Sequence, residues 1–208
     1  MFDRMDMPNP THLYDLLESR WENVTDGFAA VWVEGLTVEE TARRLGADLG
    51  SAIAVTLANI GLGFEGDKMP GDKDGIILVG PWNAWTLAMQ IQWMDVTEKP
   101  RLSELSRDGG RAIAIGWHGG GGHRVEYAID GRLTFSAPLE EMLEPLHEHA
   151  EGLRMPTDWD VVGSPIDEMI ATALTAIGRL TGRELDEEWL DTPHVCYLIR
   201  RTRIRRTR

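Results

Sequence analysis

Residues 111–137, RAIAIGWHGGGGHRVEYAIDGRLTFSA, decide the fold class. Ile113, Ile115 and Trp117 alternate with Ala112, Ala114 and Gly116. Val125, Tyr127 and Ile129 alternate with Arg124, Glu126 and Ala128, and Leu133 and Phe135 with Arg132 and Thr134. Large apolar side chains at every second position mark half-buried strands. The four glycines 119–122 supply a flexible turn, and Asp130-Gly131 is a two-residue hairpin signal. The stretch therefore predicts a three-stranded antiparallel meander. Consecutive glycine amides can also cradle an anion. That use needs a helix to follow, whereas here another strand follows, and no Lys-Ser or Lys-Thr closes the run. The glycines are read as a hairpin tip.

Outward from this stretch, Trp85, Leu87, Met89, Ile91 and Trp93 alternate with Thr86, Ala88, Gln90 and Gln92. This predicts a strand with its Trp/Leu face inward and its Thr/Gln face outward. Residues 28–33 and 76–79 read as further strands, with 81–83 as a turn. Residues 195–200 read as a last strand at the sheet edge. Helices are expected over 10–24, over 38–45 behind a Thr37/Glu40 capping box with Gly46 as stop, over 101–107, and over 184–190. The strongest helix signal is Ile166, Met169, Ile170, Ala173, Leu174, Ile177 and Leu180, behind Ser164-Pro165 and ahead of Gly182. Residues 51–62 are apolar and read as a buried helix or a strand, with helix preferred. Residues 63–75 and 157–163 read as connectors, and Pro145 interrupts the acidic segment 139–153.

The order of elements predicts an α+β fold, an antiparallel β-sheet with helices packed mainly on one face. One domain is expected over 1–199, followed by an Arg-rich tail over 200–208.

The chain has 208 residues and a net charge of −13. Six arginines fall in the last nine residues, so the preceding body carries −19. Such a body repels phosphate, which argues against a broad nucleic-acid face. Arg200, Arg201, Arg203, Arg205 and Arg206 form the one segment suited to nucleic acid or an acidic partner. The helix 38–45 resembles the first helix of a helix-turn-helix, but the segment after it lacks the polar and basic residues of a recognition helix. A single cysteine, Cys196, rules out an internal disulfide, and the N-terminus lacks the basic start and apolar run of a signal peptide. No apolar run reaches the length of a membrane span. A soluble, cytoplasmic protein is expected.

Catalytic signatures are sparse. There is no G-x-S-x-G, and Cys196 lies in no hydrolase-like context. The acidic loop 63–75 lacks the calcium-loop spacing, and His147 and His149 are two apart, so they do not share a helix face. His118 and His123 flank the glycine run, and two histidines do not complete a metal site. No catalytic residue, cofactor or metal is assigned. Eight tryptophans are many for this length; core packing accounts for most, and an interface anchor or ligand wall remains open for Trp82 and Trp117.

The pieces FAAVWVEGLTVEETARRLGA (28–47), VGPWNAWTLAMQIQ (79–92), LSRDGGRAIAIGWH (105–118) and VEYAIDGRLTFSAPLE (125–140) cover the middle two-thirds of the chain. In this order they resemble an uncharacterised family of actinobacterial proteins, a domain of unknown function common in streptomycetes. The resemblance implies a soluble, single-domain protein and assigns no activity or catalytic residue. It does not extend to the Arg-rich end.

Together these readings favour a non-enzymatic protein-binding module of immunity or regulatory type, with an acidic surface for a cationic partner. The alternative is an enzyme or small-molecule binder with a pocket near the 117–123 hairpin, walled by Trp82, Trp117, His118 and His123. A weaker alternative is nucleic-acid contact through the tail.

Overall fold

The computed structural model describes residues 11–21, 24, 27–60, 74–91, 94–118, 122–156 and 165–200. The meander of 111–137 forms as expected: β5 (Arg111–His118), β6 (Arg124–Ile129) and β7 (Arg132–Pro138) are successive antiparallel neighbours. Between β6 and β7, Asp130 (φ 48°) and Gly131 (φ 74°) both adopt positive φ, the geometry of a type I′ turn whose twist matches the strands. Thr134 is the extra residue of a bulge in β7; its hydroxyl donates to the Tyr127 carbonyl.

Five more strands extend this meander: β1 (Gly27–Glu34), β2 (Ala47–Val55), β3 (Asp74–Trp82), β4 (Trp85–Ile91) and β8 (His194–Arg200). The order is β2-β8-β3-β4-β1-β5-β6-β7, and every pairing is antiparallel. Three expectations are corrected. Within 51–60 there is no α-helix: residues 51–55 are the second half of β2, which pairs with β8 and is followed by a 3₁₀ turn at Leu57–Asn59, while 61 and 62 lie outside the described residues. Ser51 holds the irregular part of that pairing, donating to the Asp48 carbonyl and accepting from the Leu198 amide. β8 is not an edge strand, because β2 covers it; the edges are β2 and β7. The turn after β3 is Asn83-Ala84, not 81–83: Pro81 and Trp82 still pair with Thr86 and Trp85, and Asn83 takes φ 53°.

Helices flank both faces, so the expectation that they pack mainly on one is not confirmed. On one face, α1 (His12–Glu18), α4 (Pro165–Thr181) and α5 (Glu187–Asp191) cover Phe28, Trp32, Trp82, Leu87, Ile113, Ile115 and Trp117. On the other, α2 (Val38–Arg44) and α3 (Lys99–Leu105) bring Ala42, Leu102 and Leu105 onto Ala29, Val31, Val79, Ala112 and Ala114. The Thr/Gln face of β4 therefore does not meet solvent. Thr86 and Gln90 are buried. Thr86 donates to the Leu36 carbonyl, while Gln90 donates to Asp95 and accepts from the Val96 amide, so their polar atoms are satisfied beneath the second layer.

Small residues set the thickness of that layer. A Cβ on Gly116 would lie 2.5 Å from Met94 Cε and 3.2 Å from Thr97 Cγ2. The Ala-Ala-Gly parity of β5 is thus what lets the segment before α3 lie close to the sheet. α2 begins as read, with the Thr37 hydroxyl accepting from the Glu40 amide. The Glu40 carboxylate does not close the capping box; it pairs with Arg43 and Arg44. α4 ends at Gly182 (φ 74°), as expected. α1 is shorter than its apolar pattern. The capping residue Ser164 and the connector 157–163 lie outside the described residues, as does 63–73 of the other connector, whose last two residues, Asp74 and Gly75, belong to β3.

Candidate functional site

The antiparallel register brings the end of β5, the start of β6 and the end of β7 to one rim of the sheet, with Gly116 opposite Arg124 and Arg124 opposite Pro138. His118 is exposed there and His123 is half-buried. Burial pulls the His123 imidazole below its ordinary value; the Glu140 carboxylate opposes that shift and the His118 ring adds to it. The Leu139 amide donates to the His123 carbonyl (3.2 Å), so the acidic segment starts beside this histidine. The sequence separates 123 from 140 by an entire hairpin. Only the pairing of β6 with β7 joins them, and the hairpin signal at Asp130-Gly131 was the clue to it.

From this rim the chain runs through 3₁₀ turns at Leu139–Glu141 and His147–His149. Leu139, Met142 and Leu146 are buried and pin it to the core, while Glu140, Glu141, Glu144, Glu148 and Glu151 are exposed. The Arg179 guanidinium donates to the carbonyls of His149 and Glu151 and fixes the far end. None of the five carboxylates is in an ion pair with a described residue. Elsewhere cations are spent internally: eight arginines, among them Arg20, Arg44, Arg111 and Arg183, are tied to carboxylates. Arg111 grips Glu34 with two 2.6 Å bonds and lies over the Trp85 ring, which holds Glu34 below the usual carboxylate range.

Trp82 and Trp117 are not brought to this rim as a shared wall. Both are about 1% exposed. The Trp117 indole stacks on Phe28 and donates to the Val24 carbonyl (2.7 Å). Trp82 lies three strands away at the opposite end of the sheet, roughly 14 Å across and 20 Å along at ordinary strand spacings. There its indole donates to Thr181 Oγ1 (2.9 Å) and meets Trp32 and Trp189 edge-on, with Arg183 over its ring. His194, which no sequence signal singled out, completes this cluster. Of the tail arginines, Arg200 is the last residue of β8; Arg201, Arg203, Arg205 and Arg206 lie outside the described residues.

Cys196 is fully buried, and burial pushes its thiol up to about 12. Among the described residues, no three His, Cys, Asp or Glu side chains are grouped to hold a metal ion, and no helix is long and apolar enough to cross a membrane.

No family model matches the chain, and neither a curated protein nor a solved structure is significantly similar to it. The functional reading therefore stands on the geometry of this molecule.

Proposed function

We propose that the protein is a non-enzymatic binding module of immunity or regulatory type, acting in the cytoplasm, whose acidic segment 139–151 receives a cationic protein partner. One observation carries this reading. Five exposed carboxylates stand on a segment anchored by Leu139, Met142 and Leu146, and none is neutralised by a described cation. A fixed row of like charges gives orientation and speed to the encounter with a basic surface. The resemblance to the actinobacterial family belongs to the same reading and adds no activity.

The test is capture by the full chain from its own host, followed by native mass spectrometry. The reading expects a basic protein held in a salt-sensitive complex. A Glu141→Lys/Glu144→Lys/Glu148→Lys variant should lower the affinity at least tenfold with an unchanged melting temperature. Undiminished binding by that variant would remove the acidic segment from the proposal.

The second reading, a small-molecule or enzyme site, is supported by Glu140 and His118 both acting on the half-buried His123 imidazole at the rim. It omits Trp82 and Trp117. Alanine at both histidines should abolish any ligand-induced thermal shift while leaving partner capture intact.

A further inference from the structure

We propose that His194 is an acid-operated latch: a second proton on its ring releases α5 from the end of the sheet. The proposal does not depend on the function proposed for the acidic segment.

The latch is built from close contacts. His194 Nε2 donates to the Trp189 carbonyl in α5 (2.8 Å), and its ring stacks on the Trp189 indole at 4.0 Å between centroids. The ring lies directly against β3. A Cβ on Gly80 would fall 2.4 Å from His194 Nδ1, so only glycine leaves room for it. The Trp189 indole in turn donates to the Pro81 carbonyl and meets Trp82 edge-on. Trp189 is thus held to the sheet by the ring stack, by its own carbonyl and by its indole N–H. α5 itself has five residues and one side-chain cap, Asp186, so it depends on these tertiary contacts.

A proton on Nδ1 puts a charge in this aromatic site. His194 is about 6% exposed. The part of β3 beside it is the uncharged run Val79-Gly80-Pro81, with Asp74 at the far end of that strand opposite Arg200, and the partner of His194 in β2 is Val55. The charged groups on the elements beside it are Arg183, Glu184, Asp186, Glu187, Glu188 and Asp191. Asp186 is engaged by Arg183 and by the Trp189 amide, and Asp191 and Glu187 by Arg20. Glu184 packs against Gly178, and Glu188 is exposed. Burial acts most strongly on the ring and opposes its protonation, as the charge of Arg183 does; the hydrogen bond to the Trp189 carbonyl favours the protonated ring but does not outweigh burial. Opening the Trp189 stack lets water solvate the new charge, and α5 is the small element free to move.

Indole N–H signals of the full chain, recorded by ¹H–¹⁵N spectra from pH 7.5 to 5.0, test this. The Trp189 and Trp82 signals should move together with one midpoint below 6.5, while Trp117 holds its position. His194→Gln keeps an N–H for the Trp189 carbonyl but does not titrate, and it should remove the transition. A Trp189 signal unmoved down to pH 5.0 overturns the latch, as does simultaneous loss of the Trp117 signal, which is global unfolding. If the variant fails to fold, the ring-proton titration of His194 in the natural chain decides: a midpoint at or above 6.5 also overturns it.

Discussion

Two glycines with the same nominal overlap make different demands on their surroundings. At Gly80 the obstacle to a Cβ is the stacked ring of His194, 2.4 Å away and fixed by the Trp189 carbonyl. At Gly116 it is the terminal methyl of Met94, 2.5 Å away on a flexible, half-buried chain. Gly80→Ala should therefore destabilise the protein by about 1–3 kcal/mol, the usual cost of overpacking a rigid site. Gly116→Ala should cost clearly less, because methionine changes rotamer readily. Urea midpoints of both variants against the natural chain measure the contrast; equal losses would contradict it. Cys196 gives a second prediction at this scale. A buried thiol raised to about 12 offers almost no thiolate at neutral pH, so a disulfide-exchange reagent should label it only as fast as the protein unfolds. Labelling that ignores added stabilising osmolyte would show a local opening at β8.

For the elements, turn chemistry and caps were the most readable features. Asp130-Gly131, Thr37 and Gly182 each act locally, and each does in the structure what its residue type requires. Gly131→Ala should cost on the order of 1–2 kcal/mol, since φ 74° is strained for an L side chain and the added methyl meets Arg107 Cγ at 3.3 Å. Thr37→Ala should cost about 1 kcal/mol through the lost cap. Denaturant titration reads both, and a neutral Gly131→Ala would mean that the hairpin tolerates another turn type. Readings that failed were those decided at a distance. Thr86 and Gln90 look like a solvent face because polar residues alternate with apolar ones. They are buried because Leu36 and Val96 arrive from other segments to satisfy them. Residues 51–62 lean to helix by composition while leaving strand open, and the pairing of 53–55 with β8 decides for strand there. The rim of His118, His123 and Glu140 was half legible: both histidines were visible from their glycine run, and Glu140 joined them only through register.

At the scale of the whole molecule, two kinds of titrating group set the response to acid. His123 and His194 both titrate below the ordinary value of 6.5, chiefly because burial disfavours their charged forms. Their stability contribution is therefore present above 6.5 and is lost as pH falls through their depressed values, because the unfolded chain binds those protons first. Glu34, Glu40 and Asp191 titrate below their ordinary values of 4.5 and 3.8 because Arg111, Arg44 and Arg20 hold them. Their contribution is present above those ordinary values and is lost further into acid. The surplus negative charge works the other way, since protonating exposed carboxylates relieves repulsion within a chain of net charge −13. Salt separates these effects. It screens the exposed carboxylates strongly and the buried imidazoles weakly. Melting temperature should thus rise with salt at pH 7.5 and fall as pH drops from 6.5 toward 5.5, with that fall persisting at high salt. His123→Gln combined with His194→Gln should flatten the fall while leaving the later loss below pH 4.5 in place. Were high salt to erase the fall between 6.5 and 5.5, surface charge and not the two buried imidazoles would govern this region.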